Sequence, residues 1–244
     1  MLLTDLADAC RKSGLKVVEL SGWRTNFSAG DFSPIGVLAH HTGSYDDIAD
    51  QPSDQSYAQW MAFEGRADLN PPICNLALSA EGVVYVCSSG NANHAGEARA
   101  SGPMPAAPDG NALYVGIEAM NSGTQGWGSV GRDVSGAEVT QGEAYARLCA
   151  ALCLHYGWPA SHVRGHKETS VTGKWDPGGL DMDNFRAAVA RLMSEEDIVT
   201  PEDIKAIAEY ILDEETVDLK KADGTVKAIP IRNAIERILN PDES

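Results

Sequence analysis

Apolar and polar positions follow two rhythms along this chain, one with a period near 3.6 and one near two, and they mark out alternating helices and strands. Residues 2–13 have the helical spacing and stop near Gly14, a natural C-cap; residues 15–20 read as a short strand. Residues 21–33 are polar and glycine-containing, a loop. Ile35-Gly36-Val37-Leu38-Ala39 is an unbroken apolar run, as in a buried strand, and it ends at His40. A helix is predicted over 56–64. Strands follow at 73–79 and 83–88, joined by a hairpin-like Ala80-Glu81-Gly82. Residues 89–110, rich in Gly, Ala, Asn and Pro, read as a long ordered loop or lid. Residues 113–120 form another buried strand, interrupted by Glu118. A strong helix is predicted over 141–156 with Thr140 as its N-cap, and a second over 181–193.

The character changes after Ser194. Residues 195–244 hold 14 acidic and 6 basic residues, a net of −8, which is half of the chain's net charge of −16. Thr200-Pro201-Glu202-Asp203 has the features of a helix start, and Ile204, Ile207, Ala208, Ile211 and Leu212 form one apolar stripe. Residues 222–225 read as a turn and 229–239 as a second amphipathic helix. The division is therefore 1–194, one sizeable domain, and 195–244, a small, mainly helical module.

Strong negative charge argues against a nucleic-acid partner, which requires a basic face for phosphates, and against attraction to anionic wall polymers. No apolar run is long enough to span a bilayer, so no membrane insertion is expected. The N-terminal residues lack the basic and long apolar regions of a secretory signal, which places maturation in the cytoplasm. Five cysteines without a CxxC pair read as reduced, mostly buried thiols.

The candidate chemistry lies in Ala39-His40-His41-Thr42, at the end of an apolar run, and in Gly165-His166-Lys167-Glu168 with Lys174-Trp175-Asp176-Pro177-Gly178. His40, His166 and Asp176 are three zinc-type ligands from separate elements, leaving a fourth position open for water, as in a catalytic rather than a structural site. His41 falls on the opposite face of its strand and is read as supporting rather than ligating. Glu118, a carboxylate inside an apolar strand, is either a buried ion-pair partner or a general base whose pKa is raised by burial. Lys174, two residues before Asp176, is either a surface lysine or a cation that stabilises an oxyanion. Asn93 and His94, in the Gly/Ala-rich loop, either touch substrate or serve as polar lid residues.

These segments, in order, resemble the zinc-dependent N-acetylmuramoyl-L-alanine amidases, a superfamily that includes peptidoglycan recognition proteins and many phage endolysins. Cys74-Asn75-Leu76-Ala77-Leu78, Glu81-Gly82-Val83-Val84-Tyr85, Asn93-His94-Ala95-Gly96 and Gly116-Ile117-Glu118 complete the set, which spans roughly 15–193. The Asn-His-Ala-Gly and Gly-His-Lys-Glu forms look most like endolysins of phages infecting actinobacteria. The resemblance implies an α/β fold with a central mixed β-sheet flanked by helices. It implies zinc held by His40, His166 and Asp176, Glu118 as base, Lys174 beside the oxyanion, and Asn93 and His94 toward the substrate, bacterial peptidoglycan. One branch of the family carries a tyrosine where Cys74 stands; here that role passes to Glu118 and Cys74 has none. The implied life cycle is accumulation in the host cytoplasm and action on the wall after release.

Three other readings share these residues: a peptidoglycan-binding module without catalysis, a recycling amidase acting on soluble anhydromuropeptides, and a cellular autolysin. The C-terminal module could bind the wall, form a homo-oligomer, or pack on the catalytic domain.

Overall fold

The computed structural model describes residues 1–43, 53–124, 126–196, 217–220 and 226–229. It divides into two compact units, Met1–Met193 and Ser194–Ser244.

The first unit is built on a six-stranded sheet. In chain order its strands are β1 (Val17–Glu19), β2 (Gly36–His41), β3 (Leu76–Leu78), β4 (Val84–Val86), β5 (Tyr114–Ala119) and, after the hairpin of β6 (Val130–Arg132) and β7 (Glu138–Thr140), β8 (Val163–Gly165). Their spatial order is β1-β4-β3-β5-β2-β8. Every pairing is parallel except β3 with β4, so the sheet is mixed. The antiparallel pair is the hairpin read at Ala80-Glu81-Gly82. β8 and the β6–β7 hairpin were not foreseen, because Val130-Gly131-Arg132, Glu138-Val139-Thr140 and Val163-Arg164-Gly165 lack the apolar runs that mark the equally short β1, β3 and β4.

Helices cover both faces. α1 (Leu6–Arg11), α3 (Gln141–Tyr156) and α5 (Met182–Glu196) contribute to the larger core, together with Val37, Ala39, Val115, Ile117 and Ala119 of the sheet. α2 (Asp54–Phe63) closes the other face over Cys74, Ala77 and Tyr85. Thr140 caps α3 as its position suggests: its side chain accepts from the Glu143 N–H at 3.3 Å, a contact type worth about 1 kcal/mol. Gly157 ends α3 at φ +72°, a left-handed conformation that glycine adopts without penalty.

Side chains alternate across a strand, so the core residues of β2 and β5 settle which way the others face. Val37 and Ala39 join the core under α3; Leu38 and His40 therefore face the α2 side. Val115 and Ile117 likewise send Gly116 and Glu118 to that side. The register pairs His40 with Glu118, so the two chemical side chains are neighbours on one face, at the carboxyl ends of parallel strands.

In the second unit the described residues form a two-stranded sheet, β9 (Val217–Lys220) paired antiparallel with β10 (Val226–Ile229); the turn read at 222–225 lies outside the described residues. This corrects the helix start placed at Ile229. Val217-Asp218-Leu219-Lys220 and Val226-Lys227-Ala228-Ile229 carry a two-residue alternation, and strand pairing overrides the weaker helical pattern. The helices read at 200–212 and beyond Ile229 lie outside the described residues.

Candidate metal centre and active site

His40 leaves the end of β2 fully buried, at 1% exposure. Its backbone N–H donates to Tyr145 Oη at 2.9 Å, and that hydroxyl reaches the Ile117 carbonyl at 3.0 Å. A tyrosine from α3 thus ties the ends of β2 and β5 together beneath the site. His166 follows β8 directly, as the first residue of the four-residue α4 (His166–Thr169), rather than lying in a loop. Glu168 holds that turn: it accepts from the Gly165 N–H at 2.8 Å and from Arg164 and Arg186, each at 2.9 Å.

Asp176 has no regular element under it, so side chains position it. The Lys167 N–H donates to the Asp176 carbonyl at 2.7 Å, and Lys167 Nζ donates to the carbonyls of Pro177 and Leu180 at 2.8 and 2.6 Å. The Gly178 N–H donates to His41 Nδ1 at 2.8 Å, and Trp127 Nε1 donates to the Gly178 carbonyl at 2.9 Å. His41 is therefore a brace for the aspartate loop, in keeping with its place on the opposite face.

The three candidate ligand residues meet. Asp176 Oδ2 lies 2.8 Å from His40 Nδ1 and 3.2 Å from His166 Nδ1. One donor atom from each of the three residues falls within a 4.8 Å cluster. On the far side of each ring, His166 Nε2 lies 3.2 Å from the Ala95 carbonyl and His40 Nε2 lies 3.1 Å from His94 Nδ1. Such partners fix ring orientation and tautomer, leaving Nδ1 of both rings for a metal. Two imidazoles and one carboxylate, with room beside them, fit a tetrahedral zinc with an open position.

Burial pushes the His40 imidazole down to about 4, although Asp176 pulls the other way. Burial and the neighbouring His40 and His166 hold His94 well below its ordinary value. Burial alone would raise the Asp176 carboxyl, but hydrogen bonds from His166 and His40 outweigh it and keep it well below the usual carboxylate range. The shifts of His40 and Asp176 favour the forms that ligate metal, and that of His94 keeps its ring neutral beside them.

Glu118 stands next to this cluster, Oε1 at 4.0 Å from His40 Nδ1. Its Oε2 is enclosed and has no hydrogen-bond partner among the described residues. Burial, then Asp176, push its pKa well up, against the pull of Lys174 and Arg66. The structure thus contains an unpartnered carboxylate beside three convergent donors, an arrangement that costs stability unless something is bound there.

His94 sits closer to the centre than its spacing suggested. Its backbone N–H and that of Ala95 both donate to Asn111 Oδ1, at 2.9 and 2.7 Å. Its ring lies over Gly116, where a Cβ would come within 2.5 Å of it; the glycine in Gly116-Ile117-Glu118 is a cradle for that ring. With Nδ1 against His40 and Nε2 enclosed, His94 offers a substrate only the face of its ring. Asn93 borders the groove, and its amide nitrogen donates to Ser28 Oγ and the Asn70 carbonyl at 2.8 and 2.9 Å. Lys174 is exposed on the rim.

The site opens into a groove of about 520 Å³. Tyr57, Trp60, Met61, Leu69 and Ile73 form one wall, with Arg66 held by a two-pronged ion pair to Asp68 at 3.0 and 2.7 Å. Thr42, Gly43, Lys174 and Trp175 also line it. Cys74 is buried and unpaired, as are the other four cysteines, and plays no part in the groove.

The sequence profile of the N-acetylmuramoyl-L-alanine amidases matches residues 31–179, more than half of the chain. The chain belongs to this family. The matched span contains all the ligand and groove residues described here. Among solved structures, the endolysin LysCS of Clostridium intestinale is similar at 17% identity, over 70% of this chain and 93% of its own, with a TM-score of 0.45. AmpD is similar at 20% identity over 72% and 94%, TM-score 0.45. Drosophila PGRP-LB, solved with tracheal cytotoxin, is similar at 19% over 70% and 94%, TM-score 0.45. No curated protein sequence matches the chain.

Sequence reasoning missed the amidase's supporting residues. Tyr145, Asn111 and Lys167 act through contacts between 16 and more than 100 positions away or through backbone carbonyls, and no local spacing reports those. Gly116 alone had a local signal, a glycine two residues before the buried carboxylate.

Proposed function

We propose that this amidase is a zinc enzyme that hydrolyses the bond between the lactyl group of N-acetylmuramic acid and L-alanine in bacterial peptidoglycan, and that it serves as a phage endolysin. The observation that carries the reading is the convergence of His40 Nδ1 and His166 Nδ1 on Asp176 Oδ2 beside an unpartnered Glu118 carboxylate. Zinc held by these three residues supplies a water acidified toward neutrality and polarises the scissile carbonyl. Glu118 accepts the proton of the attacking water, and its raised pKa suits it to hand that proton to the leaving nitrogen. Lys174 brings positive charge to the carbonyl oxygen as the tetrahedral centre forms. The C–N bond breaks, leaving a lactyl carboxylate on the glycan and a stem peptide with a free L-alanine amine. His94 steadies the His40 ring, and Asn93 faces the substrate from the groove edge.

A complete ligand set with a base beside it favours catalysis over simple binding. The separate unit Ser194–Ser244 favours a wall-acting enzyme, because soluble anhydromuropeptides need no second attachment. We assign that unit, with its apolar stripe, to wall targeting or self-association of the lysin. Release from a host cytoplasm follows from the endolysin role; no described helix is long and apolar enough to cross a membrane.

The test is a digest of purified actinobacterial peptidoglycan, with and without a chelator, followed by mass spectrometry. Stem peptides with a free L-alanine terminus that vanish on chelation and return with zinc support the reading. Wall binding without cleavage overturns it in favour of a binding module. Cleavage of soluble anhydromuropeptides alone overturns the endolysin role.

A further inference from the structure

Trp175 is the exposed member of the chain's five tryptophans, at 54%, although it lies between Lys174 and the buried Asp176. It is exposed yet fixed. Its ring packs edge-on against His41, with centroids 4.4 Å apart and planes at 63°. A Cβ on Gly178 would overlap the indole, and a Cβ on Gly123 would overlap His41, so two glycines make the space in which the pair sits. His41 is itself pinned by the Gly178 N–H. A large apolar ring is thus held rigidly toward solvent on the lining of the groove. Its own loop contacts do not cover it.

From this geometry we propose that Trp175 is a carbohydrate subsite, a shelf on which the apolar C–H face of the N-acetylhexosamine ring next to the scissile amide stacks. The inference rests on the amidase reading given above. Trp175 and Asp176 line the same groove, so a substrate carbonyl held at Asp176 has its near neighbours within reach of the indole. On one side of that carbonyl is the methyl of L-alanine, too small to cover an indole. On the other, through the lactyl group, is a pyranose ring of comparable breadth. The groove is also lined by Arg66, held by Asp68, whose remaining guanidinium donors suit the carboxylates of a stem peptide. A rigid aromatic anchor loses little conformational entropy when a ring settles on it.

The experiment is a titration of the intact chain with the peptide-free disaccharide of N-acetylglucosamine and N-acetylmuramic acid. It is read at the Trp175 indole N–H by nitrogen-15 NMR, with Trp175→Phe identifying the signal. A saturable shift of that resonance is expected. In parallel, kcat/KM is compared on a disaccharide-pentapeptide and on the same peptide carrying only an N-lactoyl group. Trp175→Ala should lower kcat/KM on the sugar-bearing substrate at least about tenfold more than on the lactoyl peptide, the scale for truncating an anchoring tryptophan. Trp175→Phe should keep most of the preference, which controls for damage to the neighbouring ligand. An unmoved indole signal, or equal losses on both substrates, overturns the shelf. If the wild type cleaves neither substrate, the amidase reading fails, and the NMR titration still decides the shelf.

Discussion

The two halves of the candidate metal centre are held by different means. His40 is strand-borne: β2 lies between β5 and β8, and pairing on both sides places the ring before any side chain contributes. Asp176 is loop-borne, and its place depends on Lys167, His41 and Trp127 gripping the backbone between 176 and 180. His166 is intermediate, on a single turn clamped by Glu168. Sheet pairing spreads the work over many backbone hydrogen bonds, so that half of the centre tolerates the loss of any one contact. The loop half concentrates the work in a few side chains, and each of them is a point of failure.

Substitutions that probe each half separate these cases. The largest effect is expected for Asp176→Ala, which should abolish stoichiometric zinc, measured by elemental analysis, and turnover with it. A variant that keeps one zinc per chain would remove Asp176 from the ligand set. Glu118→Gln should retain zinc and fold while turnover drops about 10²- to 10⁴-fold, the range for losing a general base; near-normal rates would move the base elsewhere.

Next comes the direct comparison. Lys167→Met, on the loop side, should weaken zinc binding about 10- to 100-fold. Tyr145→Phe, on the strand side, removes the hydroxyl that bridges the His40 N–H and the Ile117 carbonyl and should cost about 1 kcal/mol of stability. It should change zinc affinity less than Lys167→Met does. Chelator competition on both variants decides the matter: equal losses of affinity would show that the sheet does not position His40 by itself.

A pH dependence of the metal-free protein, comparable in size, tests the strand-borne half from another side. Burial lowers the folded-state pKa of His40 to about 4, and those of His41 and His94 also fall. The unfolded chain takes up protons near pH 6.5, so stability is lost as pH falls from 6.5 toward 4. His40 alone accounts for about 2 kcal/mol at pH 5. Thermal melts of chelated protein at pH 7 and pH 5 check the sign; a higher melting temperature at pH 5 would contradict the burial of these rings as neutral groups.

Much of this arrangement was legible in advance where one segment carries both the pattern and the residue. The apolar run ending at His40 and the carboxylate inside 113–120 announced themselves because two-residue alternation forces every position to one face or the other. The α3 helix and its Thr140 cap were legible for a similar reason, since the capping contact spans only three residues. The strands β6, β7 and β8 were not, because each carries a single apolar residue among polar or glycine neighbours, whereas the equally short β1, β3 and β4 lie in apolar runs. At β9 and β10 the helical reading of Ile229 failed because a strand is completed by a partner, which a linear pattern does not show.

By itself, the sequence determined which residues are candidate ligands, the acidic character of the chain, the change of character near residue 194 and the strand ends that bear the candidate chemistry. All of these are properties of residue type and local spacing. Only the tertiary structure decided that His40 and Glu118 are register partners, that His94 backs His40 over Gly116, that Lys167 braces the aspartate loop, and that Trp175 packs on His41 yet stands exposed. Those, like the approach of His40 to Asp176 across 136 positions, are distances between segments. They are set by strand pairing and side-chain packing, and neither is written in any one stretch of the chain.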